Sequence, residues 1–170
     1  MENKNILIAD KEKIISFIQF IFLLSLATLV PLFHQQMITG PIINATLFIA
    51  VLLLGSRAAL LVGLLPSVIA LSIGLLPAIL VPMIPFIITG NCILVLAFGF
   101  LKDKNYWLAI ITASLLKFIF LFSTSSIVIN LLLKKTLAPS ILTMMSWPQL
   151  LTALFGGILA YGFFTKFYKK

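Results

Sequence analysis

The chain has few charged residues for its length, and very few of these are acidic. Charged residues make up 9% of the 170 residues, and only four are acids. The acids are Glu2, Asp10, Glu12 and Asp103. All four lie in polar segments, so no long apolar run contains a carboxylate that could relay protons or bind sodium inside a membrane. This absence argues against an ion-coupled transporter that works alone.

Cysteine and histidine each occur once, which restricts redox and metal chemistry. Cys92 lies in an apolar run, and a single cysteine excludes a disulfide framework or a thiolate metal cluster within the chain. His34 has no second histidine or acid nearby to complete a metal site. We therefore expect no metal site and a buried structural role for Cys92.

Catalytic and nucleotide-binding motifs are absent as well. The sequence has no G-x-x-x-x-G-K-[ST] loop to hold ATP phosphates, and no H-E-x-x-H or G-x-S-x-G motif. These absences predict that the chain is not an enzyme, has no cofactor and does not itself hydrolyse ATP.

Hydrophobic residues dominate the remaining sequence. They make up 62% of it, and the mean hydropathy is +1.23. A soluble domain of this size cannot bury so much apolar surface, so lipid must be the main solvent. Because a spanning helix needs about 20 apolar residues, we predict an all-α membrane protein, a compact bundle of about six transmembrane helices. The bundle comprises residues 14–167, between a polar cytoplasmic segment, 1–13, and a basic tail, 168–170.

Polar turns and prolines divide the bundle into six predicted spans. Their approximate limits are 14–33, 41–54, 58–76, 83–101, 106–133 and 147–167. Gly55-Ser56-Arg57 predicts a tight turn between the second and third spans. The net charge of +8 comes from basic residues scattered over tails and short loops, which the positive-inside rule explains better than nucleic-acid binding does. Both termini are therefore expected on the cytoplasmic side, although Lys134 and Lys135 fall on the opposite side.

Polar side chains within and beside the spans concentrate in one half of the bilayer. The topology of the six spans places these side chains in the outer half of the bilayer and near its middle. The inner half contains almost no polar side chain of this kind. This pattern predicts a polar pocket that opens outward. Its candidate substrate-binding residues are His34, Gln36, Thr39, Asn44, Asn91, Lys117, Trp147 and Gln149.

Lys117 is the most informative of these candidates. A lysine at the centre of a spanning helix costs roughly 2.5–3.5 kcal/mol on insertion scales, and no span contains an acid to pair with it. It either snorkels or binds backbone carbonyls, or it is the counter-charge for an anionic ligand. Asn44, Asn91 and Gln149 either tie helices together, for about 0.6–2 kcal/mol each, or bind the ligand. Trp147 is placed to stack on a ring near the entrance.

Small residues form a stripe along the third predicted span. The stripe consists of Ala59, Gly63, Ser67, Ala70, Gly74 and Ala78. Intervals of three or four residues keep them on one helix face, where they let another backbone approach closely. Two interpretations remain open: internal packing, or a docking face for another membrane protein.

Three segments point to a known family. They are His34-Gln35-Gln36-Met37-Ile38-Thr39-Gly40-Pro41, Pro85-Phe86-Ile87-Ile88-Thr89-Gly90-Asn91 and Trp147-Pro148-Gln149-Leu150. Together with the size, the six spans and the cytoplasmic ends, they make the chain resemble the substrate-binding S components of energy-coupling factor (ECF) transporters. The resemblance extends over essentially the whole chain. These transporters are bacterial importers of vitamins and other micronutrients.

The resemblance implies a multi-pass protein of the bacterial cytoplasmic membrane that captures a vitamin or similar solute from outside. It also implies partners, namely a transmembrane coupling protein and two cytoplasmic ATPases that drive release of the solute inside. One feature departs from the family. The Ala-x-x-x-Ala docking pattern of the first span is absent, and only Ser25 and Ala27 are comparably small there. Docking would then use another surface, such as the stripe in the third span.

Two other functions remain open from the sequence alone. A self-sufficient small transporter or channel would move its solute without ATPases. A structural subunit of a membrane complex would use the polar groups only to hold helices together.

Overall fold

The computed structural model describes residues 2–33, 35–73, 78–132 and 143–167, with side chains for 11–33, 35–73, 81–125 and 143–166. These residues form helices and no strand, so the predicted all-α fold class is confirmed. In chain order the elements are α1 (Glu2–Leu29), a 3₁₀ turn (Val30–Phe33), α2 (Gln36–Ser72), a second 3₁₀ segment (Ala78–Met83), α3 (Ile84–Leu101), α4 (Tyr106–Leu132) and α5 (Trp147–Phe167). Residues 2–13 of the polar segment are part of helix α1, whereas the tail 168–170 lies outside the described residues.

Within the described residues, five helices are long and apolar enough to cross a membrane, rather than the six predicted. Its composition and helix lengths are therefore those of a multi-pass membrane protein. The difference in number lies in α2, a single helical element of 37 residues that includes both the second and the third predicted spans. The side of the membrane that holds the termini stays a prediction.

Gly55 divides α2 into a first arm, residues 36–54, and a second arm, residues 56–72. Its φ of 81° and ψ of 168° form a conformation that residues with a side chain rarely adopt. Leu47 and Gly63 are equally far from Gly55 in sequence, and a Cβ on Gly63 would lie 3.4 Å from Leu47 Cδ2. A straight helix would hold residues 47 and 63 about 24 Å apart. The chain therefore folds back at Gly55, and the two arms pack side by side.

Helices α3, α4 and α5 begin within one residue of the predicted positions, whereas α1 and α2 begin earlier. Pro85 lies in the first turn of α3, where its missing N–H leaves no helical hydrogen bond unmade. The second predicted span begins at Pro41, whereas α2 already begins at Gln36. The cause is Gln35, an extended residue whose carbonyl oxygen accepts hydrogen bonds from the amides of Ile38 and Thr39 at 3.0 and 2.8 Å. This start adds a polar first turn to α2.

The hydrophobic core lies between α2 and the other four helices. Phe48 and Phe98 are fully buried and meet edge to face, with ring centroids 4.7 Å apart. The ring of Tyr106 extends this cluster, 5.5 Å from that of Phe98 and 5.1 Å from that of Tyr161. Because Tyr106 begins α4 and Tyr161 is near the end of α5, these four residues, the aromatic cluster, close one end of the bundle. The opposite end, where α2, α3 and α5 begin, contains a cavity.

Candidate functional site

The cavity has a volume of about 300 Å³, and α1, both arms of α2, α3, α4 and α5 contribute to its walls. Its polar lining residues are Gln36, Thr39, Asn44, Ser67, Asn91, Lys117 and Gln149. Its apolar walls include Ile43, Val62, Ile84, Ile87 and Met145. Cavities of roughly 300–1,000 Å³ that combine apolar walls with a few polar groups are typical of small-molecule sites. The size and lining of this cavity fit such a site.

Lys117 is bound by two side-chain amides from other helices. Its Nζ donates to Oδ1 of Asn44 at 2.7 Å and to Oδ1 of Asn91 at 2.9 Å. The exposed fractions of the three residues are 4%, 2% and 6%, so the ammonium is held inside the bundle. It does not snorkel to the membrane surface, and it makes no hydrogen bond to a backbone carbonyl of the described residues.

The same contacts connect four separate segments of the chain. Asn44 lies in the first arm of α2, Asn91 in α3 and Lys117 in α4. Asn91 also donates from Nδ2 to the carbonyl oxygen of Gly63 in the second arm, at 3.2 Å. Because an ammonium has donors only, both amide oxygens must face it, and this fixes the orientation of both amide groups. We call Lys117, Asn44 and Asn91 the lysine–amide cluster.

Glycines let α5 approach α2 closely beside this cluster. A Cβ on Gly156 would lie 2.6 Å from Asn44 Cβ and 2.9 Å from the carbonyl oxygen of Pro41. On the opposite helix, a Cβ on Gly40 would lie 2.7 Å from Cγ2 of Thr152. Real Cβ atoms do not approach so closely, so both positions require glycine at this helix separation. The glycines therefore position Asn44 against the cavity.

Two glutamine side chains converge on one carbonyl at the cavity wall nearest the helix starts. Nε2 of Gln36 donates to the carbonyl oxygen of Met144 at 2.6 Å, and Nε2 of Gln149 donates to the same oxygen at 3.2 Å. Met144 and Met145, in the short segment before α5, line the cavity. The two hydrogen bonds fix that segment to the starts of α2 and α5.

The structure brings together six of the eight predicted site residues around this cavity. The six are Gln36, Thr39, Asn44, Asn91, Lys117 and Gln149. Trp147 does not line the cavity and is 55% exposed, so the predicted stacking on a ligand ring has no geometric support. The helix start directs this side chain outward, toward the membrane interface where aromatic rings prefer to lie. His34 lies outside the described residues.

Four members of the stripe of small residues, Ala59, Gly63, Ser67 and Ala70, face the interior of the bundle. Ala59 is fully buried, Gly63 packs against Asn91, and Ser67 and Ala70 line the cavity with Gly63. The second arm needs small residues here because the first arm and α3 lie against it. The position of these residues fits internal packing, so we do not propose that they dock another protein. Gly74 lies outside the described residues.

Sequence reasoning missed some of the cavity lining. Ile43 and Met145 are apolar residues in apolar surroundings, so no local signal separates them from residues that face lipid. Ser67 was identified only as a member of the stripe, although a hydroxyl on the same face as the glycines could have marked it.

The described part of the chain contains no group of three His, Cys, Asp or Glu side chains placed to hold a metal ion. Comparison with protein-family models, curated proteins and solved structures gives no match to this chain.

Proposed function

We propose that this protein is the substrate-capture subunit of an ATP-driven importer of the ECF type. It binds a vitamin or a similar micronutrient in the cavity between its helices. The observation that carries the proposal is the lysine–amide cluster in the wall of that cavity. A membrane bundle needs no buried ammonium for its stability, because burial of a charge costs free energy that apolar packing avoids. A charge kept in this position is explained by a ligand that meets it.

The size and lining of the cavity support capture of a small solute rather than passage of ions. The walls are largely apolar, and the polar groups occupy defined positions on different helices. Such an arrangement fixes the orientation of one bound molecule. A continuous pore would need polar groups along the whole bundle, whereas the opposite end is closed by the aromatic cluster.

The energy for import comes from partners in this proposal. The sequence has no phosphate-binding loop and no intramembrane carboxylate. A transmembrane coupling protein and two cytoplasmic ATPases would drive release of the solute, and the protein would lie in the cytoplasmic membrane of a bacterial cell. Ala59, Gly63, Ser67 and Ala70 of the small-residue stripe lie against the bundle interior, so we expect the coupling protein to bind another surface.

A structural subunit is the second candidate, and one observation favours it. In the lysine–amide cluster the ammonium donates hydrogen bonds to both amide oxygens, as polar side chains on neighbouring helices do in membrane bundles. In that case the polar residues would hold helices together and bind no solute.

Affinity purification of the tagged full chain from its native membranes in mild detergent tests the proposal. Recovery of two ATPases and a second helical membrane protein, identified by mass spectrometry, is the expected result. Lys117→Met serves as a comparison, since a binding defect should leave the partners in place. Repeated recovery of the chain alone, or with unrelated membrane subunits, would contradict the importer assignment.

A further inference from the structure

The polar groups of the cavity lie mainly at two levels that differ in charge. The positive charge lies at the lysine–amide cluster, and the uncharged amides of Gln36 and Gln149 lie near the helix starts. Gln36 and Asn44 lie on the same arm of α2, so the two levels are about 12 Å apart along the helix axis. This division indicates which ligand chemistry the cavity fits.

The deeper level contains the positive charge and N–H donors that no described acceptor uses. An ammonium has three N–H groups, and Lys117 uses two of them on Asn44 and Asn91. Asn44 turns its Oδ1 to the ammonium, so its Nδ2 points away, and in the described part of the chain no acceptor binds it. No carboxylate of the described residues contacts Lys117. An acceptor with negative charge would complete this level.

The level near the helix starts presents two amide oxygens. Gln36 and Gln149 each donate from Nε2 to the carbonyl oxygen of Met144. This bond fixes the orientation of each amide group and leaves each Oε1 as an acceptor for a ligand, beside any N–H of Nε2 that the bond does not use. A hydroxyl or N–H group of a ligand would match this level.

The walls between the two levels are mostly apolar. Ile43 and Ile87 lie between the lysine–amide cluster and the helix starts, with Thr39 as a polar residue between Gln36 and Asn44. The cavity volume of about 300 Å³ is at the lower end of the usual range for small-molecule sites, roughly 300–1,000 Å³, so it fits a small ligand. The described lining contains one positive charge, that of Lys117, so it fits a ligand with one negative charge. A phosphate dianion would leave one of its charges unpaired in the membrane.

We propose that the cavity binds a small monocarboxylate with an apolar body and a hydrogen-bond donor at its far end. The carboxylate meets Lys117 Nζ and Asn44 Nδ2, and the donor meets the glutamine oxygens. This inference rests on the proposed capture of a solute and names its chemical class.

Matched probes test the inference on the purified full chain in lipid nanodiscs. The carboxylates are 4-hydroxybenzoate and 6-hydroxyhexanoate, and each is compared with its uncharged amide by titration calorimetry up to millimolar concentrations. At least one carboxylate should bind at least tenfold more tightly than its amide. Lys117→Met should remove this preference. Lys104→Met removes an exposed lysine beside Phe100, away from the cavity, and should keep it.

A second variant protects the test against misfolding of Lys117→Met. Asn44→Asp keeps the shape of the side chain and places a carboxylate beside the ammonium, so the folded protein carries an internal counter-ion. We expect this variant to fold and to lose carboxylate binding at least tenfold.

The remaining outcomes overturn the inference in distinguishable ways. Equal or tighter binding of an amide would refute the carboxylate class and leave solute capture standing. Unchanged carboxylate binding in Asn44→Asp would refute the assigned position of the charge. If no probe binds, the class is refuted, and the co-purification of ATPases decides separately whether the importer assignment stands.

Discussion

The ammonium nitrogen of Lys117 lies 2.7 Å from the amide oxygen of Asn44, although the two residues are 73 positions apart in the chain. Both side chains are buried, so the amide dipole replaces water that the ammonium lost on entering the bundle. Asn91 supplies a second oxygen at 2.9 Å. This cluster stabilises the positive charge without neutralising it, which leaves the charge available to a ligand of opposite sign.

Asn91→Ala should destabilise the bundle by about 1–2 kcal/mol, because it removes one acceptor of Lys117 and the side-chain donor that binds the carbonyl of Gly63. Thermal or detergent unfolding measures the loss. Thr89→Ala on the same helix is the control, since the exposed Thr89 hydroxyl bonds only to the carbonyl of Pro85 one turn earlier. Equal losses in the two variants would contradict the role of Asn91.

Gly156→Ala should lower stability by about 1–3 kcal/mol, the usual cost of overpacking, and weaken binding of the carboxylate probes. The added methyl group would force α5 away from the backbone of α2 and displace Asn44. Gly162→Ala, on the same helix with nothing within 4 Å, should be neutral or stabilising by a few tenths of a kcal/mol. Similar unfolding midpoints for both variants would refute the close approach.

Gly55→Ala should cost about 1–3 kcal/mol, although a Cβ at this position would meet nothing within 4 Å. The penalty is conformational, since the turn between the arms needs a positive φ. Comparison with Gly162→Ala separates this strain from any general effect of alanine. An unfolding free energy equal to that of the wild type would show that the arms do not require this turn.

Tyr106→Phe should reduce stability by about 1 kcal/mol and leave probe affinity unchanged. The lost hydroxyl donates to the carbonyl oxygen of Gly157 at 3.0 Å, within the aromatic cluster at the end of the bundle opposite the cavity. Unfolding and calorimetry on the same preparation measure both effects. A large fall in affinity would mean that the two ends of the bundle are coupled.

Trp147→Ala should change probe affinity by less than about twofold, as expected for an exposed residue outside a site. Gln149→Ala, two positions later on the same helix, is the matched comparison because Gln149 lines the cavity. We expect a clear loss of affinity for Gln149→Ala only. The reverse order would restore the predicted stacking role of Trp147.

Much of the fold follows from the sequence because the signals are local. Long apolar runs define helices, Gly55 marks a turn, and Pro85 marks a first helical turn. The number of elements did not follow in the same way. The second and third predicted spans form one 37-residue element, α2, whose two arms fold back on each other at Gly55.

The sequence by itself determined that this is an all-α membrane protein and that six of its polar residues belong at one end of the bundle. Composition and the position of each residue along its span carry that information, because exposing a polar group to lipid costs free energy in any arrangement of the helices. Only the tertiary structure decided how these residues pair. In the tertiary structure Trp147 is exposed, the described residues of the small-residue stripe lie inside the bundle, and Lys117 binds Asn44 and Asn91. These outcomes depend on the rotation and separation of helices, which distant glycines such as Gly156 set and no local pattern encodes.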